Sequence, residues 1–81
     1  MDAYRAEFMI EPFTEGALGP PVLAGIDAVK ERGVEPEIGA FGTTIVGEPE
    51  VVVAALGDML KRAMDAGATR VVVQVARNPG S

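Results

Sequence analysis

The side chains able to do chemistry are few, and two absences narrow them further. The chain has no Cys and no His, so thiolate nucleophiles, imidazole bases, disulfides and the commonest zinc ligands are excluded. Carboxylate, hydroxyl and amide groups remain. Asp2, Glu7, Glu11 and Glu15 crowd the start of the chain. Paired carboxylates do acid–base work only across a cleft of defined separation; otherwise they are solvated or face a cation, as Glu11 can at the end of an alternating run. The second group is Gly42-Thr43-Thr44-Ile45-Val46-Gly47, with hydroxyls bracketed by glycines. Thr is a strand former in its own right. The glycines equally leave backbone uncovered where a ligand can approach, and Gly42 also suits a turn.

Other site classes fail on residues. Gly16-Ala17-Leu18-Gly19-Pro20 precedes a helix, yet it lacks the third glycine of the dinucleotide fingerprint and the Gly-Lys-Ser/Thr of a P-loop. Pro20 and Pro21 also remove N–H groups that a phosphate would use, so only a weak positive helix end is left. A net charge of −5 with seven Lys and Arg disfavours a nucleic-acid backbone, which needs a basic stripe. A neutral or cationic small ligand fits the sign.

The elements that must position these groups can be read from period and punctuation. Residues 3–12 alternate, with Tyr4, Ala6, Phe8 and Ile10 on one parity and Arg5, Glu7, Met9 and Glu11 on the other, a half-buried strand ended by Pro12. A loop over 14–19 leads to prolines suited to a helix start. Val22, Ile26 and Val29 give residues 21–32 an amphipathic helix, closed by Gly33 with Val34 folding back. Residues 35–40 read as a short strand, placed at a sheet edge by Pro36. Thr43 to Val46 is the third strand. Gly47-Glu48-Pro49-Glu50 starts a second helix that runs to about Ala66 and ends at Gly67. The last strand is 70–76, with Val71, Val73 and Val75 facing one way, and 77–81 reads as a frayed tail.

The order β-α-β-β-α-β predicts an α+β, ferredoxin-like fold, a four-stranded antiparallel sheet with both helices on one face. Residues 1–81 make a single domain with an aliphatic core, since 48% of residues are hydrophobic but there are only three Phe, one Tyr and no Trp. So small a core gains from oligomerisation. No apolar run approaches the ~20 residues of a membrane span, and Met1-Asp2-Ala3-Tyr4-Arg5 lacks the order of a signal peptide, so the expected location is cytoplasmic. If Phe8, Ile10, Ile45, Val71, Val73 and Val75 face the helices, the open face carries Glu7, Met9, Thr44, Val46, Val72 and Gln74. That mixed surface suits contact with another subunit.

Among ferredoxin-like proteins, heavy-metal chaperones need a Cys pair, RNA-recognition modules need open-face aromatics, and acylphosphatases need an Arg in the first loop; this chain has none of these. Three blocks do match a family: 6–13 (Ala-Glu-Phe-Met-Ile-Glu-Pro-Phe), 39–47 (Gly-Ala-Phe-Gly-Thr-Thr-Ile-Val-Gly) and 67–72 (Gly-Ala-Thr-Arg-Val-Val). Together they resemble the small thiamine-binding proteins of the YkoF-like superfamily, from about Ala6 to Gln74. The resemblance implies a homo-oligomer, dimer or tetramer, that binds thiamine (vitamin B1) or its hydroxymethylpyrimidine part without transforming it. Thiamine is then a ligand, and no cofactor or metal is expected. It implies ligand contacts at Glu11, Thr14 and Glu15, at Gly42, Thr43 and Thr44, and at Gln74. Carboxylates suit the thiazolium charge or aminopyrimidine donors, and Thr and Gln supply orienting hydrogen bonds. The chain departs from the family pattern at Val46, where relatives often carry Glu, and at Gly19-Pro20-Pro21, where they tend to carry Ser, Tyr or His. The rival readings are an assembly protein whose open face serves only oligomerisation, and a hydrolase using Glu11 and Glu15.

Overall fold

The computed structural model describes residues 2–12 and 18–78. Its elements follow the order β1 (Ala3–Glu11), α1 (Pro20–Glu31), β2 (Glu37–Ile38), β3 (Thr43–Gly47), α2 (Pro49–Asp65) and β4 (Arg70–Asn78). The strands form one antiparallel sheet in the order β2-β3-β1-β4. This is the ferredoxin-like plan.

Alternation in β1 sets the layers, because successive side chains point to opposite faces. Ala6, Phe8 and Ile10 are buried and join Ile45 of β3 against Ala28, Val29, Val52, Ala55, Met59 and Ala63 of the helices. Register extends that face to β4, where Val75, Val73 and Val71 lie opposite Ala6, Phe8 and Ile10. Close approach of α1 to this layer depends on Gly25. A Cβ there would lie 2.5 Å from Ile10 Cδ1 and 3.1 Å from Met59 Cγ.

Both helices end alike. Gly33 has φ 81° and Gly67 φ 107°, a left-handed conformation in which any Cβ is strained. Val34 N–H then donates to the Val29 carbonyl at 3.3 Å, and Ala68 N–H to that of Ala63 at 2.9 Å. The buried Val34 side chain completes the first cap.

Two strands differ in length from the sequence expectation by more than a residue. The edge strand β2 has only two residues, because Pro36 removes a ladder donor and Gly39 already turns back, its N–H donating to the Gly42 carbonyl at 2.8 Å. Arg77 and Asn78, expected in the tail, belong to β4 and pair with Tyr4 and Ala3. The ladder to the start of β1 holds them. Residues 79–81 and the 13–17 part of the first loop lie outside the described residues.

Candidate functional site

Glu7 and Met9 face away from the helices because Phe8 between them belongs to the core. Glu7 is opposite Thr44 on one side and Gln74 on the other, and Thr44 is opposite Glu37. Residues directly opposite in an antiparallel pair share a face. A polar row, Glu37, Thr44, Glu7 and Gln74, therefore crosses all four strands of the open face. Met9 and Val72, opposite each other one step along, make the apolar floor beside it.

A wall rises from the β2–β3 turn. Gly42 packs so closely on β1 that a Cβ would come within 3.0 Å of the Phe8 carbonyl oxygen, which brings the preceding residue over the sheet. That residue is Phe41, with 84% of its surface exposed. Glu7, Phe8, Met9, Phe41, Gly42, Thr44, Val72 and Gln74 together line a half-open hollow of about 310 Å³, at the lower end of small-ligand sites.

The hollow combines one carboxylate, one amide, one hydroxyl, an aromatic ring and two apolar side chains. Arg5 donates to Glu7 Oε1 at 2.7 Å. Among the described residues, Glu7 Oε2 has no hydrogen-bond partner, so the carboxylate keeps an acceptor for a ligand N–H. Thr44 and Gln74 can each donate and accept, and the Phe41 ring offers a face to a flat or cationic group.

The expected ligand residues divide between places. Gly42, Thr44 and Gln74 meet in this hollow. Thr43 points to the opposite face, where it is 5% exposed and borders a narrow crevice with Leu18, Val22 and Ile38. Glu11 stands at the end of β1, its Oε2 accepting from Arg70 at 2.8 Å, outside the hollow's lining. Thr14 and Glu15 lie outside the described residues. Of the two departures from the family pattern, Val46 is opposite Arg5, off the hollow, and Gly19-Pro20-Pro21 is the N-cap and first turn of α1.

The structure adds Glu7, Met9, Phe41 and Val72 to the site. Glu7 carried a signal in the sequence as the open-face carboxylate in mid-strand, but only register puts Thr44 and Gln74 beside it. Phe41 carried one too, since a large apolar side chain between Gly39 and Gly42 has no core to fill.

A larger hollow, about 580 Å³, lies at the other end of the sheet along Asp2, Glu48 and Glu50. Glu48 is the N-cap of α2 and Glu50 is in its first turn, where the positive end of the helix already complements their charge. Among the described residues it has no aromatic lining and no neutral side-chain donor. Among the described residues no acidic cluster suits a metal ion, and no helix is long and apolar enough to cross a membrane.

The hollow has the size and mixed lining of a small-molecule site, on a ferredoxin-like domain. The family model for thiamine-binding proteins matches residues 6–77, and the chain belongs to that family. Solved structures agree on the fold. A domain of unknown function, DUF77, from Bacillus cereus superposes with a TM-score of 0.70 at 26% identity, covering 94% of this chain and 74% of that one. A hypothetical protein from Methanocaldococcus jannascii gives 0.71 at 20% identity, covering 98% and 81%. A Thermotoga maritima protein assigned provisionally to thiamine biosynthesis or salvage gives 0.54 at 19% identity, covering 94% and 82%. No curated protein matches the chain.

Proposed function

We propose that the protein binds thiamine, or its hydroxymethylpyrimidine part, in the hollow on the open sheet face and releases it unchanged. The observation that carries this reading is the polar row Thr44, Glu7 and Gln74 set beneath Phe41. Family membership points to the same ligand.

The chemistry follows from the side chains. Glu7 accepts from the exocyclic amine of an aminopyrimidine, or opposes the thiazolium charge, through a charge-assisted bond stronger than a neutral one. Gln74 offers both a donor and an acceptor to a ring nitrogen and its neighbour, and Thr44 takes a hydroxyl. Phe41 covers the flat ring, with a cation–π contribution where the charged ring lies over it. Met9 and Val72 exclude water beneath. Among the described residues the lining holds one carboxylate, Glu7, with Arg5 as its salt-bridge partner, and the role proposed for it is binding.

The test is calorimetric titration of the purified protein with thiamine and with hydroxymethylpyrimidine, repeated on Glu7→Gln. Saturable binding weakened by the substitution supports the reading. Binding indifferent to it moves the ligand elsewhere, and no binding of either compound refutes it.

A further inference from the structure

Arg5 stands two residues before Glu7 on β1 and so shares its face of the sheet. Its Nη1 donates to Glu7 Oε1 at 2.7 Å. Its cross-strand neighbours offer no alternative partner, because the residues opposite Arg5 are Val46 on β3 and Ala76 on β4, neither with a polar side-chain atom. Arg5 is also outside the lining of the hollow. The guanidinium therefore sits beside the carboxylate and out of the space a ligand fills. It occupies one oxygen, while Oε2 keeps its acceptor.

That arrangement separates two things a carboxylate does. A hydrogen bond to Oε2 is short-ranged and directional, and it survives the pairing. Attraction for a cation depends on net charge, and a guanidinium at contact distance cancels most of it. The hollow is left to select a ligand by its pattern of N–H groups and not by its charge. An aminopyrimidine has an exocyclic N–H to give. A thiazolium ring, whose nitrogen is fully substituted, has none. We propose that Arg5 is a specificity-determining residue, which by neutralising Glu7 makes the hollow a site for a neutral aminopyrimidine and leaves the thiazolium of thiamine outside it. The cationic half of thiamine then adds little affinity, and aminopyrimidines that lack it are ligands in their own right. This inference rests on the function proposed above and chooses between the two roles given there to Glu7.

The test compares thiamine with hydroxymethylpyrimidine by calorimetry on the unmodified protein, Arg5→Met and Arg5→Lys, with circular dichroism showing that each is folded. Met keeps an apolar stem of similar length and removes the charge, whereas Lys keeps the charge. The unmodified protein should bind hydroxymethylpyrimidine no more than about threefold more weakly than thiamine. Arg5→Met leaves Glu7 unpaired and able to attract the thiazolium, so the ratio should move towards thiamine by about threefold or more at low ionic strength, the size expected of charges that are about half exposed. Arg5→Lys should return the ratio to that of the unmodified protein, and high salt should erase the difference between the variants. A residue that merely supports the strand would change both affinities together and leave their ratio alone. A larger preference for thiamine in the unmodified protein, or a ratio that Arg5→Met does not move, overturns the role of Arg5 and leaves the binding function standing. Binding of neither compound defeats the function proposed above, and the role of Arg5 with it.

Discussion

In the proposed binding mode, recognition turns on Glu7. Replacing it with Gln keeps its size and removes its charge; hydrogen bonds to charged groups are worth about 1.5–3 kcal/mol, so affinity for thiamine should fall about tenfold or more. Glu48→Gln, in the hollow at the other end of the sheet, should leave the titration unchanged. Phe41 is so exposed that Phe41→Ala should spare the melting temperature while weakening binding severalfold, through loss of ring stacking. Gly42→Ala should damage both, since its Cβ meets Phe8 backbone that cannot move aside. The sequence made Thr44, Gln74 and Gly42 legible through a family motif and strand parity. Strand parity put Thr44 and not Thr43 on the open face, but the family resemblance counted both as ligand contacts, so the sequence did not set Thr43 aside. Nor did it make Glu7 central, since cross-strand neighbours are far apart in the chain.

The elements were more legible than the site. Proline at each helix start and glycine at each end state the boundaries locally, so α1 and α2 could be placed within a residue or so. β2 was overestimated because its length is set by a turn bond between Gly39 and Gly42, and β4 was cut short because its end is held by partners at the opposite end of the chain. Helix contact with the sheet depends on Gly25. Gly25→Ala should therefore destabilise the fold by about 1–3 kcal/mol in denaturant unfolding, as overpacking does, and Met59→Ala, a cavity change at a fully buried site, by about 2–5 kcal/mol.

The helices are also tied across their outer surface. Arg32 Nε donates to Asp58 at 2.6 Å, and Arg62 pairs with Glu31. The Arg62 hydrogen bond holds the Glu31 carboxyl below its ordinary value, and the Arg32 hydrogen bond does the same for Asp58. A carboxyl whose folded value is depressed stabilises the fold above its unfolded value and loses that contribution as pH falls through the folded one. The melting temperature of Glu31→Gln/Asp58→Asn should thus lie below that of the unmodified protein near neutral pH, and the gap should close as the pH falls through the depressed carboxyl values. These groups are exposed, so the gap should be small and should shrink in high salt.

At the scale of the whole molecule, two helices over four strands leave one sheet face open and one edge incompletely covered. The helices protect β1 best, and Val73 and Val75 of β4 stay half exposed. A small core in 81 residues and a hollow near an incompletely covered edge are two consequences of that geometry. The net charge of −5 then favours a cationic ligand and opposes an anionic one at long range.

The central claim is that the open-face hollow, with Glu7 at its centre, holds thiamine or its pyrimidine. The most direct measurement is calorimetry of both compounds against the unmodified protein and Glu7→Gln side by side. The account predicts saturable, micromolar binding to the first at no more than one ligand per chain, and affinity lower by about tenfold or more for the second. Equal affinities for the two proteins, or no heat from either compound with a folded protein, would contradict it.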